Sequence, residues 1–193
     1  MAARPTILAL AGSKRRDSFN RKLVRIAAEG AKAAGGDVTL VEIHDYPLPL
    51  FDQDDEAEQG LPENARKLKD LMRSHQGLLI SSPEYNSSIT PLLKNMIDWT
   101  SRAEAGEPPL VCFRGKVAVI MSASPGSLGG LRGLVHLRAI LGNIGTLVLP
   151  NTISISQAMN AFDPSGALAE PAQQAAVEKL GAELAKFLRK LGD

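Results

Sequence analysis

The sequence predicts an α/β protein: a three-layer α/β/α sandwich around a five-stranded parallel sheet in the order 2-1-3-4-5. Three observations lead there. Short apolar runs alternate five times with longer segments of helical periodicity. Runs 1, 3, 4 and 5 lack apolar–polar alternation, as expected of parallel strands covered by helices on both faces. Only five strands are visible, which favours this order over the six-stranded dinucleotide-binding arrangement.

The elements follow in order. Residues 6–11 form the first strand. Residues 21–34 form a helix with Leu23, Ile26, Ala27 and Ala31 at helical spacing, stopped by Gly35 and Gly36. Residues 38–43 are the second strand. A helix over 63–73 enters at Pro62, and residues 77–82 are the third strand. The helix over 90–102 tolerates Pro91 in its first turn, where the missing N–H has no intrahelical partner. The fourth strand is 116–121, the next helix 130–141 and the fifth strand 145–149. A helix over 171–191 closes the chain, with Val177, Leu180, Leu184 and Leu188 along one side. No repeat or linker interrupts this pattern, so one domain is expected over residues 1–193.

Composition narrows the function. Lys plus Arg total 22 and Asp plus Glu 21, and a net charge of +1 gives no electrostatic reason for nucleic acid or an anionic membrane as partner. The longest uncharged stretch, 139–162, is broken by Gly142, Asn143, Gly145, Pro150 and Asn151, and lacks the ~20 apolar residues of a membrane span. The apolar run after Arg4 is too short for a secretory signal. A cytoplasmic protein is expected. The single cysteine, Cys112, excludes an internal disulfide and a Cys-rich metal site, and it reads as buried and inert. His44, His75 and His136 have no zinc spacing, so no metal is expected. The acidic run Asp52, Asp54, Asp55, Glu56 and Glu58 lacks the glycine and ligand spacing of a calcium loop and reads as a solvated loop.

In open parallel sheets the ligand lies beyond the carboxyl ends of the strands, so three loops matter. In the first, residues 12–20, Gly12 lets the chain turn. Ser13, Ser18 and Asn20 bring donors, Arg15 a planar cation, and the helix behind them free N–H groups and a positive dipole end. This set suits a phosphate monoester; the plainer reading is that Ser18 or Asn20 caps the helix and the cations are solvated. Neither a GxxxxGK[ST] nor a GxGxxG motif is present. In the second loop, 81–88, Pro83 and Asn86 are turn formers and Tyr85 offers an aromatic face; Glu84 is either part of that site or simply solvated. The third, 122–130, holds Ser124, Pro125 and Gly126, and its glycines at 126, 129 and 130 allow positive φ and close approach to a ligand. Leu92, Leu93, Met96 and Trp99 on the helix between them are core or a subunit interface.

Three motifs together carry a family resemblance: Gly12-Ser13-x-Arg15-x-x-Ser18-x-Asn20; Pro83-Glu84-Tyr85-Asn86 followed by Leu93-Lys94-Asn95-x-x-Asp98-Trp99; and Gly129-Gly130-x-Arg132. They resemble the NAD(P)H-dependent FMN reductases, a flavodoxin-like family that includes quinone, chromate and azo-dye reductases. The resemblance covers about residues 7–149, and Phe162-Asp163 also fits. It implies non-covalent FMN, with Ser13, Arg15, Ser18, Phe19 and Asn20 around the phosphate. Pro83, Glu84, Tyr85 and Asn86, with Ser124, Pro125 and Gly126, would line the isoalloxazine and ribityl. It further implies NADPH or NADH as co-substrate, a small-molecule electron acceptor, and a homodimer or homotetramer. Family members often carry a large residue after the position of Asn86, where this chain has Ser87 and Ser88.

Because flavin carries the electron chemistry, no side chain is expected to be an essential acid or base. The rival readings are a flavodoxin-like electron carrier without turnover of its own, and a non-flavin protein on the same fold. The carrier would want a Thr/Ser-rich phosphate loop and strong acidity, and this chain has neither. A hydrolase would want a G-x-S-x-G elbow, and the stretch around Ser127 lacks that spacing.

Overall fold

The computed structural model describes residues 4–192. In chain order the first half comprises β1 (Thr6–Ala11), α1 (Phe19–Ala33), β2 (Asp37–Val41), α2 (Gln53–Gln59), α3 (Glu63–Ser74) and β3 (Gly77–Ser81). A short hairpin of β4 (Glu84–Tyr85) and β5 (Ser88–Ile89) leads into α4 (Pro91–Thr100). The second half comprises β6 (Val117–Ala123), α5 (Leu131–Asn143), β7 (Leu147–Val148), β8 (Ile153–Ile155), α6 (Ala158–Ala161) and α7 (Pro171–Gly192).

All pairings of the main sheet are parallel. β1 lies between β2 and β3, β3 pairs with β6, and β6 carries the fifth lane. With the hairpin set aside, this is the expected order 2-1-3-4-5. The fifth lane is divided. β7 pairs at Val117 and Ala118 and β8 at Met121 to Ala123. Pro150 lies between them, and its missing N–H suits a break in the ladder.

The apolar runs read as they do because both faces of the sheet are covered. On β1, Ile7, Ala9 and Ala11 face one core with α1 and α7, while Leu8 and Leu10 face the other with α3, α4 and α5. β6 divides the same way, with Val117, Val119 and Met121 against Ala118 and Ile120. This stack aligns the carboxyl ends of β1, β3 and β6, so the three loops leave from one rim.

Two expectations are corrected, and a third is decided between its two readings. The acidic run is helix α2, not a loop: Asp52 caps it by accepting the Asp54 N–H at 2.8 Å, and Asp54, Asp55 and Glu56 occupy the first turn. There the helix dipole favours carboxylates, and Arg102 holds Glu56 at 2.7 Å. The second strand ends at Val41, and Ile43–Asp45 turns off as a 3₁₀ segment. On α4, Leu93, Met96 and Trp99 are buried within the chain itself. Trp99 stands edge-on to Phe51, with ring centroids 4.9 Å apart, and donates its indole N–H to the Pro49 carbonyl at 2.9 Å. The apolar girth of α4 is thus largely used internally.

Candidate active site

The first loop leaves β1 at Gly12. Its φ is not positive, so turning is not what requires glycine there. Close approach is: a Cβ on Gly12 would lie 2.9 Å from Leu93 Cβ. The Gly12 N–H donates to the Ser81 carbonyl at 2.9 Å, and its carbonyl accepts the Thr90 hydroxyl at 2.7 Å. The loop is thereby tied to β3 and to the first turn of α4.

Ser18 is the N-cap of α1, in extended backbone, yet its side chain makes no capping hydrogen bond. The residue is buried, and its hydroxyl has no hydrogen-bond partner among the described residues. Ser13 is buried too; its Oγ accepts the Arg15 N–H at 3.3 Å, which leaves its own proton to donate. Among the described residues, the N–H groups of Phe19 and Asn20 in the first helical turn have no protein acceptor. Arg15 is exposed at the rim. Behind the loop, Arg21 Nη1 donates to the carbonyls of Arg15 and Arg16 at 3.2 and 3.1 Å, and Arg21 pairs with Glu42 at 2.7 Å. Two hydroxyls, a helix N-terminus and a guanidinium form the donor set a phosphate needs.

Asn20 does something the motif alone does not reveal. Its Oδ1 accepts the Ser81 hydroxyl at 2.8 Å and the Ala123 N–H at 3.0 Å, and its Nδ2 donates to the Ala123 carbonyl at 2.8 Å. Its amide is a clamp that holds the walls of the site together.

The second loop is a two-residue hairpin between β4 and β5, with Asn86 at φ 50° and Ser87 at φ 67°. Positive φ at both central residues is the type I′ signature, whose twist matches that of the strands. Glu84 is neither solvated nor free for a ligand. Its Oε2 accepts the Gly133 N–H at 3.0 Å and its Oε1 accepts from Arg132 Nε and Nη2 at 3.1 and 3.0 Å. Glu84 thus caps α5, whose own N-cap, Gly130, offers no side chain. Burial works to raise the Glu84 pKa. The Gly133 N–H, the Arg132 hydrogen bond and the Arg132 charge outweigh it, and the carboxyl is held below its usual range. Ser88 Oγ meets His136 Nδ1 at 2.9 Å, a second tie from the hairpin to α5.

The third loop is held by the segment after β8. Ser124 donates its N–H to the Ile155 carbonyl at 3.0 Å and accepts the Ala158 N–H at 3.1 Å. Of its three glycines, Gly129 and Gly130 have positive φ and Gly126 does not. At Gly130 a Cβ would meet Ser122 Oγ, a buried hydroxyl without a protein partner.

These loops enclose two adjoining clefts. The smaller, ≈ 70 Å³, is lined by Ser13, Arg15, Ser18, Phe19, Asn20, Pro83, Glu84, Tyr85, Ala123, Ser124 and Pro125. Of the twelve residues singled out in the sequence, only Asn86 and Gly126 lie outside it. The one carboxylate in its wall, Glu84, is turned onto α5, so the cleft favours an anion. The larger, ≈ 450 Å³, shares Ser13, Arg15 and Tyr85 with it and adds Gly12, Lys14, Leu48, Leu50, Thr90, Pro91, Leu92 and Asn95. Sequence reasoning missed Leu48 and Leu50; the only signal was the Pro-Leu-Pro-Leu tract at 47–50, apolar where a surface loop is usually polar.

The chain is similar to known proteins along most of its length. The family model for NADPH-dependent FMN reductase matches residues 5–160. An NAD(P)H-dependent FMN reductase of Pseudomonas aeruginosa is 34% identical over 187 residues, covering 96% of each chain. A quinone reductase of Escherichia coli K12 is 36% identical over 149 residues, covering 77% of this chain and 76% of its own. Among solved structures, a flavoenzyme NAD(P)H:(acceptor) oxidoreductase from Paracoccus denitrificans superposes with a TM-score of 0.79. It is 26% identical, with 96% of this chain and 98% of that chain covered.

Proposed function

The chain belongs to the NADPH-dependent FMN reductase family, and from that premise we propose that it reduces quinones by a ping-pong mechanism at one face of a single FMN. The fold, the FMN and the dependence on NAD(P)H are those of the family. The quinone as acceptor follows the quinone reductases among its relatives. The donor set of the smaller cleft carries this reading. When bound, FMN supplies the two-electron chemistry, accepting hydride from NAD(P)H and passing the equivalents to an acceptor.

The protein's own part is to bind and orient. Ser13, Ser18, Arg15 and the first turn of α1 would hold the phosphate, with Phe19 and Asn20 beside them in the cleft wall. Pro83 to Asn86 and Ser124 to Gly126 would flank the ring. The reading needs no side chain as an acid or base, because the flavin would carry the electron chemistry. Tyr85 is half-exposed between the two clefts and walls the space that both substrates use in turn. One shared space supports ping-pong turnover.

We also propose that the protein works in the cytoplasm as a homo-oligomer. With α4 largely satisfied internally, support for assembly moves to α5, where Leu131 and Val135 are 46% and 63% exposed one turn apart. A single buried thiol suits a reducing compartment. No helix of the described residues is long and apolar enough to cross a membrane.

The test is cofactor identification in a denatured extract, followed by steady-state NADPH and NADH oxidation with a quinone. FMN and parallel double-reciprocal lines are expected. Intersecting lines would replace the shared face with two sites, and bound FMN without turnover would make the protein an electron carrier. A solution mass of 20.5 kDa at full activity would overturn the oligomer.

A further inference from the structure

The larger cleft has a composition that the FMN site does not use. Its walls are apolar: Leu48, Leu50, Pro91, Leu92 and the Tyr85 ring. Leu50 is 81% exposed, a large side chain left at the cleft's mouth without cover. Two of the polar groups in the wall are already committed. Thr90 donates to the Gly12 carbonyl at 2.7 Å. Asn95 accepts the Phe51 N–H and donates to the Pro49 carbonyl, each at 2.8 Å. What stays free for a ligand is cationic or hydroxylic: Lys14, Arg15, and the hydroxyls of Ser13 and Tyr85. No carboxylate lines the cleft. Lys14, Arg15 and the adjoining Arg16 are all exposed, and among the described residues none has an acidic partner within ion-pair distance.

We propose that this cleft seats a flat aromatic ring bearing an anionic group, and that Lys14 reads its charge. The apolar walls take the ring, and the cationic end, with no acid to compete, takes the anion. Arg15 is turned to the FMN phosphate in the reading above, on which this inference rests, so Lys14 is the cation left to the cleft. Two sources offer such a group: the adenosine phosphate end of the nicotinamide dinucleotide, or an acceptor with a sulfonate or carboxylate on its ring. In both, Lys14 is a specificity-determining residue.

The test is calorimetry on the FMN-loaded protein with four non-reacting probes: adenosine 2′,5′-bisphosphate, adenosine, naphthalene-2-sulfonate and naphthalene-2-sulfonamide. At least one anion is expected to bind about tenfold more tightly than its neutral counterpart, the size of one charge-assisted contact. Lys14→Ala should remove that preference and Lys14→Glu reverse it, while the neutral probes are unaffected. The preference should also shrink as salt rises from low to physiological strength. Which anion shows it identifies the source. Equal affinities within both pairs, or a preference that survives Lys14→Glu, would overturn the proposal. Absorbance of bound flavin, followed in every variant, separates the two readings: failure of the FMN site removes the flavin, whereas failure of this one leaves it bound.

Discussion

Asn20 and Ala123 stand 103 positions apart and meet through both ends of one amide. Oδ1 accepts the Ala123 N–H at 3.0 Å and Nδ2 donates to the Ala123 carbonyl at 2.8 Å. With the Ser81 hydroxyl also on Oδ1, the start of α1, the end of β3 and the end of β6 form one rigid rim. Asn20→Ala leaves three buried groups unpaired at once. A loss of about 3 kcal/mol or more in unfolding free energy is expected, at ~1–3 kcal/mol for each buried unsatisfied group. Urea denaturation checks it, and a loss below ~0.5 kcal/mol would mean that the clamp holds nothing. Asn20→Asp keeps both accepted bonds but sets a buried carboxylate oxygen against the Ala123 carbonyl, so it should destabilise as well.

Arg15→Ala tests the phosphate assignment. Arg15 would contribute a charge-assisted pair of roughly 1.5–3 kcal/mol, at the low end because the side chain is exposed. FMN should bind about tenfold more weakly, measured by flavin fluorescence on reconstitution. Riboflavin, lacking the phosphate, should bind no worse to the variant than to the parent. An FMN affinity that does not change would remove Arg15 from the site.

Ser87 occupies the second central position of the type I′ turn at φ 67°. A side chain there costs on the order of 1 kcal/mol relative to glycine. Ser87→Gly should raise the melting temperature by a few degrees, and Ser87→Val should lower it by at least as much. Equal melting temperatures for the two variants would mean that the turn relaxes in solution.

Burial pushes the Cys112 thiol up to about 11, against the lowering pull of Lys69 and Lys116. At pH 8 only about one molecule in a thousand carries the reactive thiolate. Native protein should therefore resist a thiol–disulfide reagent at pH 8 and take up one equivalent in denaturant. The sign for stability follows. The unfolded chain loses this proton near its ordinary value of 9.0, whereas the folded chain keeps it to about 11. The contribution is fully present below pH 9 and is lost as pH rises from there to about 11. Rapid labelling of native protein at pH 8 would show the thiol to be accessible.

Much of the site was legible because it rests on local signals. Strands β1, β3 and β6 were readable as apolar runs, since burial on both faces removes alternation. A parallel sheet then forces their loops onto one rim, which is how Ser13, Arg15, Ser18, Tyr85 and Ser124 come together. Asn86 is the turn former its residue type suggests, whereas the capping role of Glu84 depends on α5, which no local signal reveals.

The sequence by itself determined the sheet, its order, and the residue types that collect at its rim, because periodicity and loop chemistry are properties of neighbouring residues. Tertiary structure alone decided what those residues do. Asn20 is a clamp because Ser81 and Ala123 arrive beside it from distant strands. Glu84 is a helix cap because α5 begins at a glycine that cannot cap itself. Gly12 is a contact and not a turn because Leu93 packs onto it. The larger cleft exists because Leu48 and Leu50, on a loop with no motif, lie across from Lys14 and Tyr85. Each of these rests on a distance between residues remote in the chain, and such distances are set by the packing of the two cores, which no local pattern encodes.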